Sequence, residues 1–227
     1  MRVLAIDTAL GQCAVAVIDT EEVEPLAAET IALERGHAEA LLPMLDRVVS
    51  RADGEFTALD RVVVTIGPGS FTGLRIGISS ARAVGLATGA PVVGVTTLSA
   101  LMAPLMVGPR SRLVVAAIDA RGGRVYVQAI APNGRAIIKP SILTVRDVVR
   151  ALGSSGVLVV GSGAPAIAAE GWAVGLDVRL HDAAPFPDIT WVARLGAAAR
   201  PEEALPKPFY LASPDARPQD AGRLARQ

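Results

Sequence analysis

The chain has 227 residues, with 22 Lys plus Arg against 22 Asp plus Glu, 51% hydrophobic residues and a mean hydropathy of +0.43. That length accommodates one large domain or two small ones with substantial cores, and the composition excludes a disordered or collagen-like chain. Zero net charge argues against a free-standing nucleic-acid binder, which needs a basic face to neutralise phosphates, so any nucleic-acid role calls for a partner.

Apolar runs at Val3 to Ile6, Cys13 to Ile18 and Leu26 to Leu33 predict three strands joined by hairpins, with turns at Asp7 to Gln12 and at the acidic Glu21 to Pro25. Met1-Arg2 leads straight into the first of them, so no signal peptide is expected and the expected compartment is the cytoplasm. From Gly36 to about Ala52, Ala38, Leu41, Leu45, Val48, Val49 and Ala52 recur mostly at threes and fours. This predicts an amphipathic helix, which Pro43 is expected to bend or to leave irregular in its first turn. Arg61 to Ile66 is β-branched in the manner of a strand buried on both faces. A glycine-rich loop, Gly67 to Gly73, follows it, and a helix is expected from there to about Thr88.

Ala83 to Gly108 holds no charged residue, and about twenty apolar residues would span a bilayer. The stretch is broken by Gly85, Gly89, Pro91, Gly94, Thr96-Thr97 and Pro104. It therefore reads as a helix end, a buried strand Pro91 to Val95 and a short helix, with no membrane association expected. Strands follow at Leu113 to Ile118 and Arg124 to Ile130, joined by Asp119 to Gly123. Next come a helix from Thr144 to Leu152 with Thr144 as its cap, a strand Val157 to Val160 and a helix Ile189 to Ala199. The proline-punctuated segment Pro201 to Pro218 leads into a polar tail with Arg217, Arg223 and Arg226, expected to be loose. The order is three strands, helix, strand, helix, strand, then a shortened repetition. It predicts an α/β protein with mixed sheets in two related lobes, 1–105 and 106–227.

The loop Gly67 to Gly73 runs from a buried strand into a helix N-terminus, where free amides and the helix dipole bind anions. The phosphate motifs miss it: the chain's only lysines are Lys139 and Lys207, and the third glycine falls at Gly73, one residue out of the dinucleotide spacing. Either this is a tight turn with Ser70 or Thr72 as N-cap, or it is an anion site. Asp7 and Asp119 end matching strands in the two lobes and suggest a nucleotide cleft, although aspartate is also the ordinary residue for starting a turn. His37, Glu39 and Asp46 share the first helix, and a lone histidine at a helix start is most simply a cap or contact. Cys13, the only cysteine, sits in an apolar strand as a core residue. With His37 and His181 the only histidines, no zinc site is expected.

Gly73, Gly77, Ala81, Gly85 and Gly89 recur every four residues along the second helix, a ridge almost without side chains. Glycine inside a helix costs about 1 kcal/mol relative to alanine, so close approach of another element is expected there. The remaining positions are largely apolar, so both sides need covering, one by the sheet and the other by the first helix or by a second chain.

Together Val3-Leu4-Ala5-Ile6-Asp7-Thr8, Gly36-His37-Ala38-Glu39-Ala40-Leu41-Leu42-Pro43-Met44, Gly67 to Gly77 with its Phe71-Thr72-Gly73-Leu74-Arg75, Pro91 to Val95 and Ile118-Asp119-Ala120-Arg121 resemble the TsaB family. This is the dimerisation subunit of the bacterial complex that makes threonylcarbamoyladenosine in tRNA. The resemblance covers residues 1 to about 126; beyond them it rests on Gly171-Trp172 and Pro208-Phe209-Tyr210-Leu211, with Ala212 where an arginine is expected. It implies two ribonuclease-H-like lobes of the actin, Hsp70 and sugar-kinase type. It also implies pairing with a catalytic paralogue, TsaD, through the first two helices, completed by a small ATPase, TsaE, with tRNA bound only through the complex. The paralogue's His-x-x-x-His metal motif is replaced by Thr97-Leu98-Ser99-Ala100-Leu101.

The expectation is thus a non-catalytic scaffold with His37, Leu41, Leu45, Val48, Gly73, Gly77, Ala81 and Gly85 at the partner interface, the same face offering a homodimer when the partner is absent. Asp7, Thr8, Gly69, Ser70 and Asp119 would be relics of a nucleotide or phosphate site. No metal or cofactor is expected, a nucleotide at that site being the one candidate. The alternative is a phosphotransferase or ATPase of the same fold using Asp7 and Asp119; a peptidase lacks a nucleophile and base at any required spacing.

Overall fold

The computed structural model describes residues 1–52, 54–181 and 185–211. Ala212, Arg217, Arg223, Arg226 and the rest of the expected tail lie outside the described residues. The first half runs β1 (Arg2–Asp7), β2 (Gln12–Asp19), β3 (Ala27–Ala32), α1 (His37–Arg51), β4 (Arg61–Gly67), α2 (Phe71–Thr88), β5 (Val92–Thr96) and α3 (Thr97–Met102). The second runs β6 (Leu113–Asp119), β7 (Arg124–Ile130), β8 (Ala136–Thr144), α4 (Val145–Leu152), β9 (Val157–Val160), α5 (Ala164–Ala173), β10 (Val178–Leu180) and α6 (Ile189–Ala198).

Both halves make the same mixed sheet. The orders are β3-β2-β1-β4-β5 and β8-β7-β6-β9-β10, with the hairpin strands antiparallel and the crossover strands parallel in each. The repetition is complete, not shortened. β8 escaped the hydropathy pattern because Lys139-Pro140 interrupts it, and proline is tolerated there because β8 is an edge strand. α5 is rich in alanine with little periodicity, and β10 has three residues. This doubled order is the pair of ribonuclease-H-like lobes that the resemblance implies.

Helices α1 and α2 cover one face of the first sheet, burying Leu41, Met44, Leu45 and Val48 with Leu74, Ile78 and Ala81 against Leu4, Ile6, Val15, Val62 and Val64. α1 runs unbroken through Pro43. Helices α4 and α5 cover the corresponding face of the second sheet. The two inner faces share helices across the halves. α3 sets Leu98, Leu101 and Met102 on Val114, Ala116 and Ile118 of β6, while α6 sets Ile189, Val192 and Ala193 on Val3, Ala5, Ala14 and Val63 of the first sheet. We propose that the division between units falls near residue 105; by packing, however, α6 belongs with the first sheet. The uncharged span Ala83 to Gly108 is the end of α2, then β5 and α3, and no helix among the described residues is long and apolar enough to cross a membrane.

Candidate functional site

The turn after β1 docks onto the loop between β4 and α2. The Thr8 hydroxyl donates to Gly73 O at 2.7 Å, and Ser70 N donates to Ala9 O at 2.7 Å. A Cβ at Gly69 would collide with Ala9 O, and one at Gly73 with Thr8 O. The glycines thus exist to bring two backbones together. Ser70 caps α2, its Oγ accepting from Gly73 N at 3.2 Å. With the Ser70 and Gly73 amides committed inside the chain, the geometry is that of a capped tight turn.

Asp7 is fully buried beside this junction. Its Oδ1 accepts from Thr65 Oγ1 at 2.6 Å and Ala9 N at 3.0 Å, and its Oδ2 from Gln12 Nε2 at 2.8 Å. Gln12 Nε2 also donates to Pro187 O at 2.8 Å, tying the entry to α6 into the knot. Asp119, at the matching end of β6, is exposed and holds a local turn, accepting from Arg121 N at 2.9 Å. Between the glycine loop and β7, the segment Phe209 to Leu211 leaves a cavity of about 20 Å³ beside Pro68, Gly69 and Tyr126, room for about one water. At the start of α3, Thr97 and Leu101 are buried, Leu101 in the apolar inner layer. Among the described residues no three His, Cys, Asp or Glu side chains group as metal ligands. A larger cleft of about 550 Å³ opens beside Gln12, where Thr30, Leu101, Val160, Phe186 and Trp191 meet it.

Burial pushes the Asp7 carboxyl above its ordinary value, with the bonds from Thr65, Gln12 and Ala9 pulling the other way. The folded state then holds the proton more tightly than the unfolded state. Stability is therefore lost as pH rises from the ordinary carboxylate range through the folded value. Asp7→Asn removes this titration, so the urea midpoint of the wild type relative to that variant is expected to fall as pH rises above about 4. A pH-independent difference would contradict the assignment. Asp7→Ala, which orphans the three donors, is expected to cost about 3 kcal/mol. Burial likewise pushes the Cys13 thiol up to about 11, in keeping with an inert core residue.

Every residue expected at the partner interface is turned inward. His37, Leu41, Leu45, Val48, Gly73, Gly77, Ala81 and Gly85 are all buried within this chain. His37 Nε2 lies 3.2 Å from both Leu10 O and Gln12 O, locking α1 to the β1–β2 turn. A Cβ at Gly77 would strike Thr8 Oγ1, and one at Gly85 would strike Val92 Cγ2. The glycine ridge is therefore the contact of α2 with its own sheet.

A second small-residue ridge, Ser79, Ala83 and Ala87, faces outward beside Leu86, which is 88% exposed, while Leu42 of α1 is 64% exposed. At the head of α2, Phe71 stacks on Tyr210 with centroids 5.5 Å apart, and the Arg75 guanidinium sits 3.8 Å from the Phe71 centroid. Arg82 donates to Pro206 O at 2.7 Å, Gly94 N to Ala204 O at 2.8 Å and Phe209 N to Ile66 O at 2.7 Å, so residues 204–210 form a strap along α2 and β5. The outward ridge has the same spacing of four as the inward one. It carries serine and alanines where the inward one carries mostly glycines.

Residues 30–174 match the family model described as TsaD, tRNA N6-adenosine threonylcarbamoyltransferase. The chain is 37% identical over 126 residues to the tRNA threonylcarbamoyladenosine biosynthesis protein TsaB of Escherichia coli K12, covering 56% of this chain and 53% of that protein. It thus spans about half the length of the curated TsaB relatives it matches. An uncharacterised protein of Mycobacterium tuberculosis H37Rv is 34% identical over 216 residues, covering 95% of this chain and 94% of that one. The solved structure of YeaZ from Pseudomonas aeruginosa superposes with a TM-score of 0.71 at 26% identity, covering 92% of this chain and 99% of that one. A second Pseudomonas aeruginosa structure, described as an uncharacterised protein with similarity to peptidase YEAZ, gives 0.72 at 26% identity, with 93% and 99% covered. By sequence and by fold, the chain belongs to the TsaB family.

Proposed function

We propose that this chain is a non-catalytic subunit for threonylcarbamoylation of tRNA adenosine, docking a TsaD-like catalytic paralogue on the outward faces of α1 and α2. The observation that carries this reading is the exposed small-residue ridge Ser79-Ala83-Ala87 with Leu86 and Leu42, set on two helices whose inner faces are fully used by their own sheet. Small residues permit close helix approach, and the exposed leucines supply apolar anchors. The engaged oxygens of Asp7 and the filled space between the glycine loop and β7 support a role without chemistry of its own. A TsaE-like ATPase would join the pair. Where the paralogue is missing, two copies of this chain would meet by the same ridge.

Depleting the protein is expected to remove threonylcarbamoyladenosine from tRNA hydrolysates, and unchanged modification would overturn the assignment. Leu86→Glu and Ala83→Arg, both exposed, are expected to keep the wild-type melting temperature, to weaken paralogue binding at least about tenfold and to fail in rescue. Co-elution of either variant with the paralogue at wild-type strength would exclude this face.

A further inference from the structure

The zero net charge conceals a segregation. Residues 1–105 carry twelve acidic and seven basic side chains, whereas residues 106–181 carry nine basic and four acidic. The imbalance is sharpest from Ala120 to Arg146, which holds Arg121, Arg124, Arg135, Lys139 and Arg146 and no acid. All five are exposed. Arg146 lies 3.5 Å from Glu170. The other four side chains have no ion pair or hydrogen bond among the described residues. Several cations of the first half are by contrast tied down: Arg47 and Arg51 to Glu29, and Arg61 to the carbonyls closing α6.

Four of these cations are carried by the antiparallel pair β7–β8 and the turns at its ends, and Arg146 follows in the first turn of α4. Arg124 pairs with Thr144 at one end, Ile130 with Ala136 next to Arg135 at the other, and Lys139 lies between on the edge strand. At about 3.4 Å per residue the ribbon is roughly 20 Å long. A nucleic-acid duplex of that length carries on the order of ten phosphates. No large hydrophobic side chain is exposed between Ala120 and Arg146. A protein partner would need buried aromatic or aliphatic anchors, which this surface lacks; a phosphate backbone needs only spaced Arg and Lys donors.

We infer that the β7–β8 ribbon contacts the phosphate backbone of RNA. It shares no residue with the outward faces of α1 and α2, so RNA and paralogue would bind through different side chains. The choice of RNA as the polyanion rests on the function proposed above.

The test uses the full chain, alone and mixed with the paralogue, against a fluorescent unmodified tRNA transcript at about 50 mM salt, with polyglutamate as competitor. Arg124→Glu/Lys139→Glu is compared with Arg150→Glu/Arg179→Glu, which changes net charge equally elsewhere on the same half. The ribbon variant is expected to lose at least about tenfold in tRNA affinity, to reduce the log–log salt slope by about 1.5 and to bind the paralogue normally. The control variant is expected to stay within about twofold of the wild type. Equal losses in the two variants, no loss in either, absence of tRNA binding by the wild-type chain, or displacement by polyglutamate more readily than by unlabelled tRNA would each overturn the inference. Failure of the wild type to bind the paralogue would instead overturn the function proposed above, and the tRNA measurement on the chain alone would still decide the ribbon.

Discussion

Gly77→Trp is expected to unfold the protein. The position lies where α2 crosses the turn after β1, and even a methyl group there would meet the Thr8 hydroxyl, which is held by its bond to Gly73 O, with Val64 alongside. No rotamer of an indole escapes, because the surrounding atoms belong to a packed core rather than to a flexible surface. Overpacking of a core costs about 1–3 kcal/mol for added methylenes, and a tryptophan on glycine exceeds the upper end of that range. Against a typical stability of about 5–15 kcal/mol, the folded fraction at growth temperature would drop sharply. Thermal melting by circular dichroism reads this directly, and a variant melting within a few degrees of the wild type would refute it. Loss of the paralogue in such a variant would accordingly report lost folding, which is why the interface tests belong at Ala83 and Leu86.

The second large effect is on a chain ended at residue 105. The inner face of the first sheet, Val3, Ala5, Ala14, Ala16 and Val63, is roofed by Ile189, Val192 and Ala193, which such a fragment lacks. Fully burying each large aliphatic side chain is worth about 1.5–3 kcal/mol, so removing this cover takes away a large part of a domain's net stability. Residues 1–105 are expected to show no cooperative thermal transition alone, and to regain one when residues 106–211 are supplied in trans. Val192→Asp in the full chain places an unpaired charge in the same layer and is expected to cost about 3 kcal/mol or more. A fragment that melts cooperatively on its own would show that α6 is dispensable.

Local patterns disclosed most elements, since strands such as Arg61–Gly67 and the periodic helix α1 announce themselves by apolar spacing. The cap at Thr144 was likewise legible, and that of α2 was narrowed to Ser70 or Thr72, of which Ser70 serves, because capping is a property of neighbouring residues. The direction of the glycine ridge was not. Spacing says that Gly73, Gly77, Ala81 and Gly85 share a side of α2, but whether that side meets a sheet or a second protein depends on Thr8, some 65 residues away. The aspartates show the same limit. Asp7 and Asp119 are equivalent by topology, yet one is buried under three donors and the other is exposed in a local turn, a difference created by Thr65, by Gln12 and by the entry to α6 that Gln12 ties down. Whole-chain charge was misleading for a simpler reason, because a sum over 227 residues cannot register opposite halves.

The four sheet edges carry one more consequence. β3 sets Glu29 on its strand, β5 is capped where Gly94 N meets Ala204 O, β8 is broken by Lys139-Pro140 and β10 is three residues long. Each is a recognised way of denying a neighbouring chain a template for strand addition. With both sheets closed to extension, a protein with half its residues apolar offers a neighbouring chain no strand edge on which fibrillar growth could start.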